Sequence, residues 1–281
     1  MEPIVSTQWL AEQGGNPGLR LLDATKYLPN EPKDGREEFA LGHIPGAAFF
    51  DIDEIADPDT ALPHMVPSPG RFARLMEALG VSNSDTVIFY DQKGLASAAR
   101  GWWLMGLFGH DNAAVLDGGL PKWRAEGRAV TAEPSPAPTP GHFVATFRAT
   151  RLRGIGDMLE NLAEGRELVL DARAAGRFSG SVPEPRPGMA SGHIPGSRNL
   201  PYGALLRPDQ TLRPAAELRA ILAAAGADGA RPVVTSCGSG VTATILTLAM
   251  QVAGLPAGAV YDGSWSEWGL RADTPKATGD E

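Results

Sequence analysis

The sequence predicts an α/β protein built as a tandem duplication, each copy a mostly parallel β-sheet flanked by helices. Three observations carry this reading. A set of short motifs recurs in the same order at offsets of 145 to 150 residues. Short β-branched or aromatic runs bounded by turn residues alternate with stretches of helical period. A chain of 281 residues, 43% hydrophobic and 21% charged, has about the length of two domains and the apolar mass to fill two cores.

Along the chain, the first repeated element is Leu21-Leu22-Asp23-Ala24, an apolar run ending in a carboxylate, which returns as Val169-Leu170-Asp171-Ala172. These aspartates end strands and read as loop-fixing hydrogen-bond acceptors. Gly42-His43-Ile44-Pro45-Gly46 returns as Gly192-His193-Ile194-Pro195-Gly196, and a histidine shared by both turns reads as a turn or packing residue. Phe72, Leu75, Met76 and Leu79 stand at i, i+3, i+4 and i+7 before Gly80, and Leu218, Ile221, Leu222 and Ala225 repeat the pattern before Gly226. That spacing gives a helix one apolar face, and the glycine ends it. Thr86-Val87-Ile88-Phe89-Tyr90 and Pro232-Val233-Val234-Thr235 are too short for helices and read as buried strands. Asp91 follows the first of these and Cys237 the second, 146 positions on. Asp117-Gly118-Gly119 through Trp123 then returns as Asp262-Gly263-Ser264 through Trp268. Trp102, Trp103, Trp265 and Trp268 read as core and interface aromatics. The predicted domains are residues 1–130 and 142–281. Residues 131–141 join them as a stiff linker, because each proline fixes φ and deletes an amide donor.

Composition narrows the function. With 25 basic and 33 acidic residues the net charge is −8, which opposes the broad phosphate-neutralising surface of a nucleic-acid binder. The first residues lack the basic and apolar regions of a secretion signal. Residues 245–255, the best membrane candidate, are interrupted by Thr247, Gln251 and Gly254 and are too short to span a bilayer. No membrane partner and a cytoplasmic location are therefore expected. One cysteine permits no intramolecular disulfide, either as a staple or as a switch. No His/Cys cluster has zinc-ligand spacing, so no metal and no cofactor are expected.

The chemistry concentrates at Cys237-Gly238-Ser239-Gly240-Val241-Thr242-Ala243, between a strand and a helix expected over residues 244–253. Sheets of this class hold ligands beyond the carboxyl ends of their strands. Two glycines let the backbone turn sharply so that N–H groups point inward, and a helix N-terminus adds partial positive charge. Together these make a cradle for an anionic sulfur. A lone cysteine is more often buried core than nucleophile. Here Asp91 at the same place in the other copy argues that the position accepts an anion.

The tandem units, the seven-residue cysteine loop, the paired His-Ile-Pro-Gly turns and Asp262-Gly263-Ser264-Trp265-Ser266-Glu267-Trp268 resemble the two-domain rhodanese family, and within it the 3-mercaptopyruvate sulfurtransferases. The resemblance runs from about Asp23 to Trp268. It implies two rhodanese-like domains, the second catalytic and the first inactive, since the Asp91 carboxylate cannot carry a sulfane sulfur.

Thiosulfate enzymes of this family resemble one another in carrying basic side chains just after the cysteine, where this chain has Gly238 and Ser239. A neutral loop moves recognition of the donor's charge elsewhere, and a guanidinium on a separate loop can grip a carboxylate bidentately. From Arg177 to His193 the second copy spans 16 positions, against 7 from Arg36 to His43. The added stretch carries Arg186. The resemblance implies that Arg177 and Arg186 bind the carboxylate and keto oxygens of 3-mercaptopyruvate, with Gly238, Gly240, Val241 and Thr242 of the loop around the sulfur. It implies further that Ser239, His64 and Asp53 form a Ser, His, Asp arrangement assisting proton transfer. The alternatives are a solvated pair of loop arginines and a loop histidine at an interface.

The expected reaction is a double displacement through a Cys237 persulfide, releasing pyruvate and passing sulfur to a thiol, thioredoxin among the candidates, or to cyanide. Rivals are thiosulfate sulfurtransferase activity and a noncatalytic persulfide carrier. A phosphatase of this architecture needs an arginine six residues after the cysteine, where this chain has Ala243.

Overall fold

The computed structural model describes residues 1–135 and 138–279, arranged as two compact units. The first comprises residues 1–58, 66–148 and 207–212, and the second residues 59–65, 149–206 and 213–281. Residues 142–148, expected from the sequence to open the second domain, lie with the first. Phe143 packs edge-on to Phe72 at 5.7 Å, and Thr146 N–H donates to Phe108 O at 2.8 Å. Of the expected linker, residues 131–135 and 138–141 also belong to the first unit, while residues 136 and 137 lie outside the described residues.

The first unit is built on strands β1 (Ile4–Val5), β2 (Leu19–Asp23), β3 (Ala48–Phe49), β4 (Thr86–Tyr90) and β5 (Ala113–Leu116), in the order β1-β5-β4-β2-β3. Every pairing in this sheet is parallel. Alternation along the strands explains why both faces are covered. Leu21, Ile88 and Tyr90 face a cluster with Leu10, Ile44 and Trp123. Phe89 points the other way, against the buried helix Ala98–Leu107, where Gly101 allows close approach: a Cβ there would lie 2.3 Å from the Phe89 ring. The helix Pro69–Ala78 begins as its sequence dictates, with the Ser68 hydroxyl accepting from Arg71 N–H at 3.3 Å and proline in the first turn. It buries Phe72 and Met76, and Gly80 follows in the left-handed region, as the spacing predicts.

The second unit repeats the plan with β6 (Leu152–Arg153), β7 (Leu168–Asp171), β8 (Arg198–Asn199), β9 (Val233–Ser236) and β10 (Ala259–Tyr261), ordered β6-β10-β9-β7-β8. Its pairings are parallel as well. The apolar helix following the cysteine runs over Ala243–Val252 and is buried along most of its length. In both units the repeated histidine is a packing residue. His43 stacks on Phe39 at 4.0 Å and His193 on Phe178 at 3.8 Å, and each ring Nδ1 pairs with its partner's carbonyl at 2.9 Å.

Candidate active site

Cys237 sits at the carboxyl end of β9 and is 2% exposed. Its loop is tied down by the turn that follows β10. Ser264 Oγ accepts from Cys237 N–H at 3.2 Å and from Gly240 N–H at 3.1 Å, and donates to Tyr261 O at 2.8 Å. Trp265 N–H donates to Cys237 O at 3.0 Å, and the Ser266 amide and hydroxyl both donate to Gly238 O, at 2.8 and 2.6 Å. The Gly240 amide, expected from the sequence to line the sulfur cradle, donates to the Ser264 hydroxyl. Val241 uses its carbonyl to accept the Thr244 hydroxyl at 2.6 Å, and Thr242 stands just before the helix Ala243–Val252 with no side-chain bond to its first turn.

The first unit shows what the loop is shaped to hold. Asp91 is fully buried at the end of β4. Its Oδ2 accepts from the amides of Ala96, Ser97 and Ala98 at 2.8, 2.8 and 2.9 Å, and its Oδ1 from the amide of Lys93 at 2.9 Å. Four inward-facing amides are thus satisfied by one carboxylate, the charge-assisted arrangement that makes such nests anion sites. With the 146-residue offset, their counterparts are Ser239, Thr242, Ala243 and Thr244. Gly94 and Gly240 match too, with φ of +104° and +74°. Cys237 therefore occupies the place of a buried carboxyl group held by backbone amides.

The expected donor residues surround the same loop. The short helix Ala175–Ser179 is anchored by Phe178 and carries Arg177. A Cβ at Gly238 would stand 2.8 Å from Arg177 Nη2 and 4.0 Å from Arg186 Nη1, so both guanidinium groups lie beside the residue after the cysteine. His64, buried and held at φ +62°, places Nδ1 2.9 Å from Ser239 Oγ. A left-handed histidine is uncommon, and strain of this kind collects at functional sites. Asp53 belongs to the first unit, in the turn of helix Ile52–Ile55, where its carboxylate pairs with Lys26.

Three residues at the site were given no chemical task by the sequence reading, although Glu184 and Ser264 lie in motifs that carry the family resemblance. Arg173 is wholly buried, paired through Nη2 with Asp171 Oδ2 at 2.6 Å and lying 4.6 Å from the Trp265 ring centroid. Glu184 lies between Arg173 and Arg177. Ser264 adopts φ +48° where the first unit has Gly119 at φ +51°. The Asp171-x-Arg173 spacing and the Gly119/Ser264 exchange were the available signals.

Comparison with known proteins agrees with this geometry. The rhodanese-like domain model matches residues 6–126 and again residues 155–271. The chain belongs to the rhodanese family. It is 43% identical to the 3-mercaptopyruvate sulfurtransferase of Rattus norvegicus, over 96% of this chain and 92% of that one. It is 44% identical to the thiosulfate sulfurtransferase of Cricetulus griseus, over 94% and 91%. Among solved structures it is similar to SseA from Escherichia coli, with a TM-score of 0.85 and 37% identity over 95% of this chain and all of the other. Two rhodanese domains, one bearing the cysteine and one an aspartate at the same place, make this chain a sulfurtransferase-family protein.

Proposed function

We propose that this chain is a 3-mercaptopyruvate sulfurtransferase working through a persulfide on Cys237. The observation that carries the reading is the Asp91 nest: the fold's own second copy fills the cysteine's place with an anion held by four amides. An anionic sulfur on Cys237 would meet the equivalent amides of Ser239, Thr242 and Ala243, while the Thr244 amide donates to Val241 O at 3.3 Å.

In this reading the Cys237 thiolate attacks the sulfur of 3-mercaptopyruvate, and a new S–S bond forms. The C–S bond breaks with its electron pair moving to carbon, and protonation of the resulting enolate releases pyruvate. The proton is relayed by Ser239 and His64, which stand in hydrogen-bond contact. A thiol then takes the outer sulfur as its own persulfide and regenerates the cysteine; cyanide takes it as thiocyanate. Arg177 and Arg186 hold the donor's carboxylate and keto oxygens beside Gly238. What Asp53 adds is read by Asp53→Asn in the same assay.

Overall identity does not separate the two donors, since relatives named for each are equally similar. The loop favours 3-mercaptopyruvate: Gly238 and Ser239 themselves carry no cation, while the two arginines beside Gly238 come from a separate segment and suit a carboxylate set apart from the transferred sulfur. The test compares kcat/KM for both donors in the wild type and in Arg186→Ala. A preference for 3-mercaptopyruvate and a KM for it raised at least ten-fold in the variant are expected. A preference for thiosulfate would overturn the donor assignment. Cys237→Ser is expected to abolish pyruvate release; a carrier module, by contrast, would take up one sulfur and never turn over.

A further inference from the structure

We propose that Glu184 is a positioning residue of the donor site, acting through Arg177; this rests on the reading of Arg177 as a donor ligand given above. Its carboxylate is 1% exposed. Oε1 accepts from Arg173 Nη1 at 2.7 Å and from Arg177 Nε at 3.2 Å, and Oε2 accepts from Arg177 Nη2. Arg177 is thereby gripped side-on along its Nε and Nη2 edge, and the gripped Nη2 also borders the loop, 2.8 Å from where a Cβ at Gly238 would stand. Arg173 is the anchor. It is immobilised by Asp171 through Nε at 3.1 and 3.0 Å, by Gly192 O at 2.8 Å through Nη2, and by the Trp265 ring. The array runs from the end of β7 to the catalytic loop as Asp171, Arg173, Glu184, Arg177.

The duplication supplies the control for a purely structural role. Buried ion arrays are poor stabilisers, because desolvation offsets most of the Coulomb gain. The first unit forms the same five-stranded sheet in the same order without this arrangement at the equivalent place. It has Thr25 in the place of Arg173, with the Thr25 hydroxyl donating to Asp23, and it lacks the added stretch that carries Glu184. The array is thus confined to the unit that bears the cysteine. Arg177 is 17% exposed and would otherwise sample solvent rotamers, so a buried carboxylate that pre-sets one orientation lowers the ordering cost of binding.

The two physical effects of removing this carboxylate have opposite signs, which makes the test sharp. Loss of orientation raises KM, whereas loss of a negative charge beside an anionic donor, acting alone, lowers it. Steady-state kinetics with 3-mercaptopyruvate on Glu184→Gln should give a KM raised about ten-fold and a kcat within about two-fold. In an Arg177→Ala background the same substitution should change KM less than two-fold. A lower or unchanged KM in Glu184→Gln overturns the proposal, as does a ten-fold effect that persists without Arg177. Should Glu184→Gln fail to fold, Arg177→Lys replaces it: this keeps the charge but not the side-on grip, and should raise KM to a similar extent, whereas a KM near wild type overturns the proposal. An Arg177→Ala variant with unchanged KM would instead sink the donor-site reading itself.

Discussion

At the scale of single residues, the most informative comparison is between two buried aspartates at the ends of equivalent strands. Asp171 has Arg173 as its counter-ion, whereas Asp23 accepts from the Thr25 amide and hydroxyl and the Gln92 side-chain amide, and burial pushes its carboxyl up from the ordinary 3.8 to about 6. Asp117, half-buried and accepting from Leu212 N–H at 2.8 Å, is raised to about 6 by its loss of solvent. A carboxyl whose folded value lies above its unfolded one binds its proton more tightly when folded. The stability it contributes is complete below about 3.8 and is lost as pH rises through about 6. The first unit should therefore melt several degrees higher at pH 5 than at pH 8, and Asp23→Asn should narrow that gap; thermal melts at the two values check it, and an unchanged gap would refute the role of Asp23. Gly238 offers a second test. Its backbone tolerates a side chain, but a Cβ would stand 2.8 Å from Arg177 Nη2 and displace it. Gly238→Ala should raise KM for the donor several-fold, with the melting temperature within about a degree of wild type.

At the scale of elements, the loop after β4 and the loop after β9 are one design with two fillings. Asp91→Asn would leave a neutral amide among four donors. It should destabilise the first unit by about 2 kcal/mol, given the strength of hydrogen bonds to charged groups, and leave the KM for donor unchanged. Denaturant melts and donor kinetics on the same sample separate these effects. The elements legible in the sequence were those with enough residues to show a period. Thr86–Tyr90 stands where the β-branched run was read, and the helix Ala243–Val252 lies within a residue of its expected bounds. The two-residue strands β1, β3, β6 and β8 were not legible, because alternation needs more positions than they have; only pairing with a longer neighbour makes them strands. Arg173 escaped notice for a related reason. A lone cation after a strand reads as surface, and its burial depends on Glu184, eleven positions on. The cysteine loop was legible because its neighbours repeat, with an acid in place of the thiol.

At the scale of the whole molecule, the duplication gives two sheets of identical strand order but one sulfur-accepting position, since Cys237 is the only cysteine of 281 residues. Treatment with donor in the absence of acceptor should add a single sulfur to each chain, read as one mass increment and removed by cyanide; a second increment would contradict assignment of the chemistry to this residue. The repeat was legible at this scale from offsets alone, but the boundary between units was not. The second domain was expected to begin at residue 142, yet Phe143 completes the first core beside Phe72 and His110.

The nest around Asp91 has a consequence for oxidative damage. Peroxide that reaches a cysteine thiolate can carry it through the sulfenic to the sulfinic acid, and a sulfinate presents two oxygens on one negatively charged centre, much as a carboxylate does. In the loop after β9 that product would find amides already arranged for such a group. Peroxide should thus yield a protein that is dead as a sulfur carrier yet melts no lower than the untreated one, with its second loop chemically converted into a likeness of the first.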